Sequence, residues 1–183
     1  VTRQCRELNV PTQQRQKVLV DGEDPVTVFL MLDTFEVEES LNYCLMELER
    51  IALSPHAGFL QTSLDGFVQH IMEALENLVQ WAEMQMKLSR LRRLIIRHSE
   101  VNTALPEEIA KYRNLFLKYS DLIATVRSNP SVLTWCSTST LQDFLQENSD
   151  EVVRIYRVIK RNIDSRSTQD APNNRDFGTW VIM

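Results

Sequence analysis

Apolar side chains recur at gaps of three and four along most of this chain, the spacing of one face of an α-helix. Val37, Leu41, Leu45, Leu48 and Ala52 carry the pattern first. It starts at Thr34, followed by Glu36, Glu38 and Glu39, whose charges suit the positive end of a helix dipole. This predicts a helix over roughly 35–53, ended by Ser54-Pro55. A longer helix begins near Gly58 or Leu60 and dominates the sequence. Leu64, Val68, Ile71, Leu75 and Leu78 run at gaps of 4, 3, 4 and 3; Trp81 and Met84 add two three-residue steps, and Leu88, Leu91 and Ile95 resume the alternation. Unbroken from 64 to 98, this helix would span about 52 Å at ~1.5 Å per residue. The two extra short steps rotate the stripe, so its two ends should face different neighbours rather than one coiled-coil partner.

Thr103-Ala-Leu-Pro-Glu-Glu places Pro106 in a first helical turn with two acids behind it. The helix carries Ile109, Tyr112, Phe116, Tyr119 and Ile123 on one face, and Asn129-Pro130 marks its end. Residues 131–140 are mixed, with Ser139 or Thr140 as N-cap for LQDFLQE. A break at Asn148-Ser149 then caps EVVRIYRVIKRNI, where Val152, Ile155, Tyr156 and Ile159 share a face. Towards the N-terminus, residues 1–15 read as an irregular lead-in. QKVLV and PVTVFLML flank the turn-forming DGED, where Gly22 can take a positive φ, and predict a short β-hairpin that must lean on helices. The fold expected is mainly α: an elongated multi-helix bundle with one long helix and a small N-terminal β-hairpin. The divisions are a lead-in at 1–15, a helical domain with its hairpin at 16–164, and a disordered or loosely docked tail at 165–183.

Composition supports the helical reading. Four glycines and six prolines in 183 residues are too few to punctuate the many turns of a sandwich, barrel or propeller. A formal net charge of −5 argues against a general nucleic-acid binder. No run approaches the ~20 apolar residues of a membrane span, and the first ten residues lack a signal-peptide core, so neither nucleic acid nor membrane is expected as a partner. Cys5, Cys44 and Cys136, odd in number and widely spaced, suit free thiols in a reducing, intracellular compartment. Val1 in place of Met suggests a fragment or processed product.

Catalytic signatures are missing from the sequence. There is no GxxxxGK[ST], no GxSxG, no HExxH and no CxxC pair, so no cofactor, metal or catalytic residue is expected in this chain. His56, His70 and His98 read as surface or helix-end imidazoles, and Cys44 and Cys136 as small buried apolar side chains. Glu36, Glu38, Glu39, Glu47 and Glu49 read as a helix start and a solvated face. Lys87, Arg90, Arg92, Arg93 and Arg97 crowd the end of the long helix, where cations complement the C-terminal dipole or dock an acidic partner.

The order of features carries a resemblance. A hairpin precedes a helix; a long helix, FVQHIMEALENLVQWAEMQMKLSRLRRLI, holds Trp81 and Gln85 as WxxxQ; Leu105 and Pro106 open LPEEIAKYRNLFLKYSDLIATVRSNPSVL; LQDFLQENSDEVVRIYRVIKRNI follows. SPHAGF at 54–59 fits a turn before the long helix. Over residues 25–164 this resembles the linker region of dynein heavy chains, the helical segment just before the ring of ATPase modules. Where the family has a second Trp soon after the Gln, this chain has Leu88, followed by a more basic stretch; after Ile163 the family's continuation is replaced by DSRSTQDAPNNRDFGTWVIM. These departures suggest a divergent heavy chain or dynein-heavy-chain-domain relative, and a truncated or alternatively terminated product.

The resemblance implies a mechanical lever without chemistry of its own, in microtubule-based movement, with ATP bound only by the parent motor. It implies the rest of the heavy chain, with its AAA+ ring, as partner. Dynein intermediate and light intermediate chains would be reached through that parent, and microtubules only indirectly. The location implied is the cytoplasm and cytoskeleton, including the axoneme of a cilium or flagellum. Trp81, Gln85, Arg90, Arg92, Arg93, Arg97, Leu105 and Pro106 are the structural or partner-docking candidates. The competing reading is a free-standing helical scaffold or adaptor that docks partner helices.

Overall fold

The computed structural model describes residues 2–55, 57–136 and 138–169. A short helix α1 (Thr2–Arg6) leads into a two-stranded antiparallel sheet of β1 (Thr12–Lys17) and β2 (Val26–Met31), registered from Thr12 opposite Met31 to Lys17 opposite Val26. The helices α2 (Phe35–Ala52), α3 (Gln61–Arg97), α4 (Glu100–Ala104), α5 (Pro106–Ser128), α6 (Val132–Cys136) and α7 (Ser139–Gln169) follow. The chain is mainly helical, with one dominant long helix and a small N-terminal sheet, as its periodicity predicts.

The three best-signalled helices fall where their caps put them. Helix α2 starts directly after Thr34 with Glu36 and Glu38 in its first turn, and buries Val37, Leu41, Cys44 and Leu48. A single 3-10 turn at Gly58–Leu60 opens into α3, whose 37 residues run without interruption. The buried stripe of α3 passes through Ile71, Ala74, Leu78, Trp81, Met84, Leu88, Leu91 and Ile95. Its rotation matches a change of neighbours. Asn77 donates to the Cys136 carbonyl that ends α6, Gln85 meets β2, and Arg92 donates to the Val18 carbonyl beyond β1 at 2.7 Å. Helix α5 begins at Pro106, where the missing N–H would have no intrahelical acceptor. It ends just before Asn129-Pro130.

Other expectations need correction. The described part of the lead-in, residues 2–15, holds regular structure: α1 packs on α2, Thr12–Arg15 form most of β1, and Asn9 bridges Ser131. β1 reads TQQRQK, so no apolar alternation announces it; β2, which reads VTVFLM, recruits it by backbone pairing. Val18, Leu19 and Val20, which read as strand, instead lie in the connecting loop, where Leu19 and Val20 are buried and Gly22 takes φ +82°. That positive φ is inexpensive only for glycine.

The predicted break at Asn148-Ser149 is absent, and α7 is one 31-residue helix. Asn148 folds its side-chain amide back onto the Phe144 carbonyl at 2.8 Å, inside the helix rather than at a new N-cap. The buried residues Leu141, Leu145, Val152, Ile155 and Ile159 therefore stay on one face across it. Tyr156 leaves that face and is 38% exposed. The polar run from Ser165 prolongs α7 to Gln169, and the rest of the expected tail lies outside the described residues.

Cys5 and Cys44 are not two free thiols but are joined as a disulfide between α1 and α2, with Cα atoms 6.7 Å apart. Nothing in a spacing of 39 residues predicts this pairing; the docking of the lead-in creates it. Cys136 is free and buried, and burial pushes its thiol up to about 12. Burial likewise raises the phenols of Tyr112 and Tyr119 far above the ordinary tyrosine value. A group with a raised folded pKa contributes stability that is complete below its unfolded pKa, about 10, and is lost as pH rises beyond it. Phenolate absorbance from Tyr112 and Tyr119 should therefore appear together with loss of helical circular dichroism, above pH ~10. The difference from Tyr112→Phe/Tyr119→Phe separates their signal from that of the exposed Tyr43 and Tyr156, and difference absorbance preceding unfolding would contradict their burial.

Candidate docking surface

The WxxxQ pair forms the joint between the sheet and the helices. Trp81 is 1% exposed, meets the Tyr119 ring edge-on at 6.4 Å between centroids, and has no hydrogen-bond partner for its Nε1 among the described residues. One turn later, Gln85 binds the Met31 backbone at both ends. Met31 N–H donates to Gln85 Oε1 at 2.8 Å, and Gln85 Nε2 donates to the Met31 carbonyl at 2.7 Å. The Tyr119 hydroxyl donates to the same Oε1 at 3.1 Å. Two residues earlier in β2, Phe29 N–H donates to Ser120 Oγ at 2.8 Å. Gln85 and Ser120 together occupy backbone groups of β2 that no strand satisfies, which both closes the sheet edge and fixes the sheet to α3 and α5.

Helix α5 holds the sheet from a second side. Arg127 lies over the Phe29 ring at 5.8 Å, and Arg113 pairs with Glu23 of the connecting loop at 2.9 Å. Leu105 sits at the joint of α4 and α5, donates its N–H to the Val101 carbonyl at 2.9 Å, and packs partly against the core. Pro106 is exposed at the start of α5. Behind it, Glu108 pairs with Lys111 at 3.2 Å and faces Arg154 of α7 at 3.9 Å. The LPEE segment is thus a helix start that also meets α7. Trp81, Gln85 and Leu105 thus make their contacts within the fold, while Pro106 faces outward.

The arginines divide. Arg92 turns towards the sheet and holds the Val18 carbonyl. Arg90, Arg93 and Arg97 are exposed and line a shallow groove of about 580 Å³ with Leu94 and Tyr156 of α7. A smaller hollow of about 200 Å³, lined by Lys87, Arg90, Val152, Val153 and Tyr156, continues it along the same seam. Among the described residues, none of these three arginines makes an ion pair, while Lys87 lies 3.8 Å from Glu83. Sequence reasoning did not single out Asn77 or Ser120, each a buried polar residue beside an apolar stripe. Their signal is there in retrospect: a lone polar group next to Leu78 or Tyr119 needs a partner, and each finds a backbone group.

Among the described residues no group of three or more His, Cys, Asp or Glu is placed to hold a metal, and no helix is long and apolar enough to cross a membrane. Comparison with known families returns one described as dynein heavy chain, N-terminal region 2, matching residues 4–166. The chain belongs to the dynein heavy chain family. No curated protein matches it. The match begins well before residue 25, where the sequence resemblance began, and takes in the end of α1 and all of β1. As part of a dynein heavy chain, it has the rest of that heavy chain as its partner and belongs to a cytoskeletal motor of the cytoplasm.

Proposed function

We propose that this chain is a segment of the dynein linker, the lever that couples the ATPase ring to the tail in microtubule-based movement. The observation that carries the reading is the family match over residues 4–166, in a chain whose longest element is a 37-residue helix. Lever action needs stiffness, and the joints favour it. At ~1.5 Å per residue α3 spans about 55 Å, and glutamine, asparagine and arginine side chains bind it to β2, α6 and the loop after β1. The segment has no chemistry of its own in this reading. ATP is bound and hydrolysed by the AAA+ ring of the parent heavy chain, intermediate and light intermediate chains are met through the parent's tail, and microtubules only through its motor. An axonemal motor in a cilium or flagellum is one setting for such a segment.

Sequencing of full-length transcripts tests the reading. The expected result is a messenger in which this segment continues in frame into several ATPase modules, at least one with a P-loop. Transcripts that all end without such modules would overturn it and favour the free-standing scaffold.

A further inference from the structure

The chain is acidic overall, with a formal charge of −5, yet from Met84 to Ser99 it contains no carboxylate and five Lys or Arg residues. The fold concentrates this local charge. With Arg92 turned to the sheet, Lys87, Arg90, Arg93 and Arg97 edge the seam between α3 and α7. The floor of that seam is apolar: Leu94 from α3, and Val152, Val153 and the ring of Tyr156 from α7. Lys160 is one turn beyond Tyr156 on α7 and exposed, adding another cation at that end. Glu151 on α7 is held by Arg154, and Glu83 lies 3.8 Å from Lys87 at one end of the seam.

We propose that this seam docks an acidic amphipathic helix from a partner protein. An apolar floor with one basic margin fits a helix that carries leucine-like anchors on one face and carboxylates beside them. Arg90, Arg93 and Arg97 follow the i, i+3, i+7 spacing, so their row extends about 10 Å along α3. Carboxylates on a parallel or antiparallel helix repeat at the same interval and meet this row in register. An unstructured polyanion satisfies the charge but leaves Leu94, Val153 and Tyr156 uncovered. Side-chain placement alone defines the seam, so the proposal stands or falls separately from the lever reading.

The test is fluorescence anisotropy on the full chain with an 18-residue labelled peptide of helical Leu/Glu pattern. Comparison probes are its Glu→Gln counterpart, polyglutamate of equal length, and phosphatidylserine/phosphatidylcholine vesicles. The Leu/Glu peptide should bind saturably, and at least ~10-fold more tightly than the Glu→Gln peptide or polyglutamate. Arg90→Glu/Arg93→Glu and Arg90→Gln/Arg93→Gln should each weaken it by at least ~10-fold with unchanged circular dichroism, and Tyr156→Ala should weaken it through the floor. Raising salt from 50 to 500 mM should loosen the complex, as expected for exposed charges. Equal binding of the Leu/Glu and Glu→Gln peptides, indifference to the arginine variants, or binding confined to polyglutamate or vesicles would each overturn the proposal.

Discussion

Trp81→Ala should destabilise the chain by about 3–5 kcal/mol, the usual range for emptying a large aromatic site in a packed core. The indole is 1% exposed and stands where the α3 stripe changes neighbours, against the edge of Tyr119. Its removal leaves a cavity between α3 and α5 that neither long helix can close without moving its whole length. Trp81→Phe separates packing from polarity. Nε1 is buried without a partner among the described residues, so phenylalanine removes an unpaired donor while losing part of the volume. It should therefore cost less than half as much as alanine. Urea melts of both variants check this; a loss below about 1 kcal/mol for alanine would place Trp81 at the surface.

Gln85→Leu should cost about 2–4 kcal/mol, although leucine is nearly the same size. The loss comes from the groups left behind: Met31 N–H, the Met31 carbonyl and the Tyr119 hydroxyl all lose their partner. Leaving a buried polar group unsatisfied costs about 1–3 kcal/mol, and partial access of water to this half-buried site offsets some of the sum. Gln85→Glu should fare no better at neutral pH, because a carboxylate accepts from Met31 N–H but cannot donate to its carbonyl. Amide exchange localises the effect. Protection at Met31 should fall first, while Phe29, held by Ser120, should keep more of its protection. A uniform loss across the sheet and helices would mean that Gln85 acts through general stability instead of pinning β2.

Both residues were legible as a motif before their roles were. The WxxxQ spacing marks Trp81 and Gln85 through resemblance, but only the sheet beside α3 shows why an amide is needed one turn after an indole. Periodicity located α2, α3 and α5 because each has an acidic or proline start and a long apolar stripe, signals that depend on local sequence. The hairpin was legible, but of β1 only Gln16 and Lys17 were, for the opposite reason. Apart from Thr12 its residues have little strand preference of their own, and pairing with β2 decides their state. The false break at Asn148 came from treating Asn-Ser as a cap, when the buried stripe from Leu145 to Val152 spans two turns and holds the helix together. The Cys5–Cys44 pairing and the parting of Arg92 from Arg90, Arg93 and Arg97 depend on how distant segments dock, which spacing along the chain does not encode.

The lever reading is tested most directly by a chimeric motor. The matched segment, residues 4–166, would replace the corresponding region of a recombinant dynein heavy chain, and microtubule gliding would be measured together with ATPase activity. The account predicts that the chimera glides microtubules in ATP, and that introducing Gln85→Leu slows gliding while ATP hydrolysis by the ring persists. A well-folded chimera that hydrolyses ATP but moves no microtubules, or one whose gliding ignores Gln85→Leu, would contradict it.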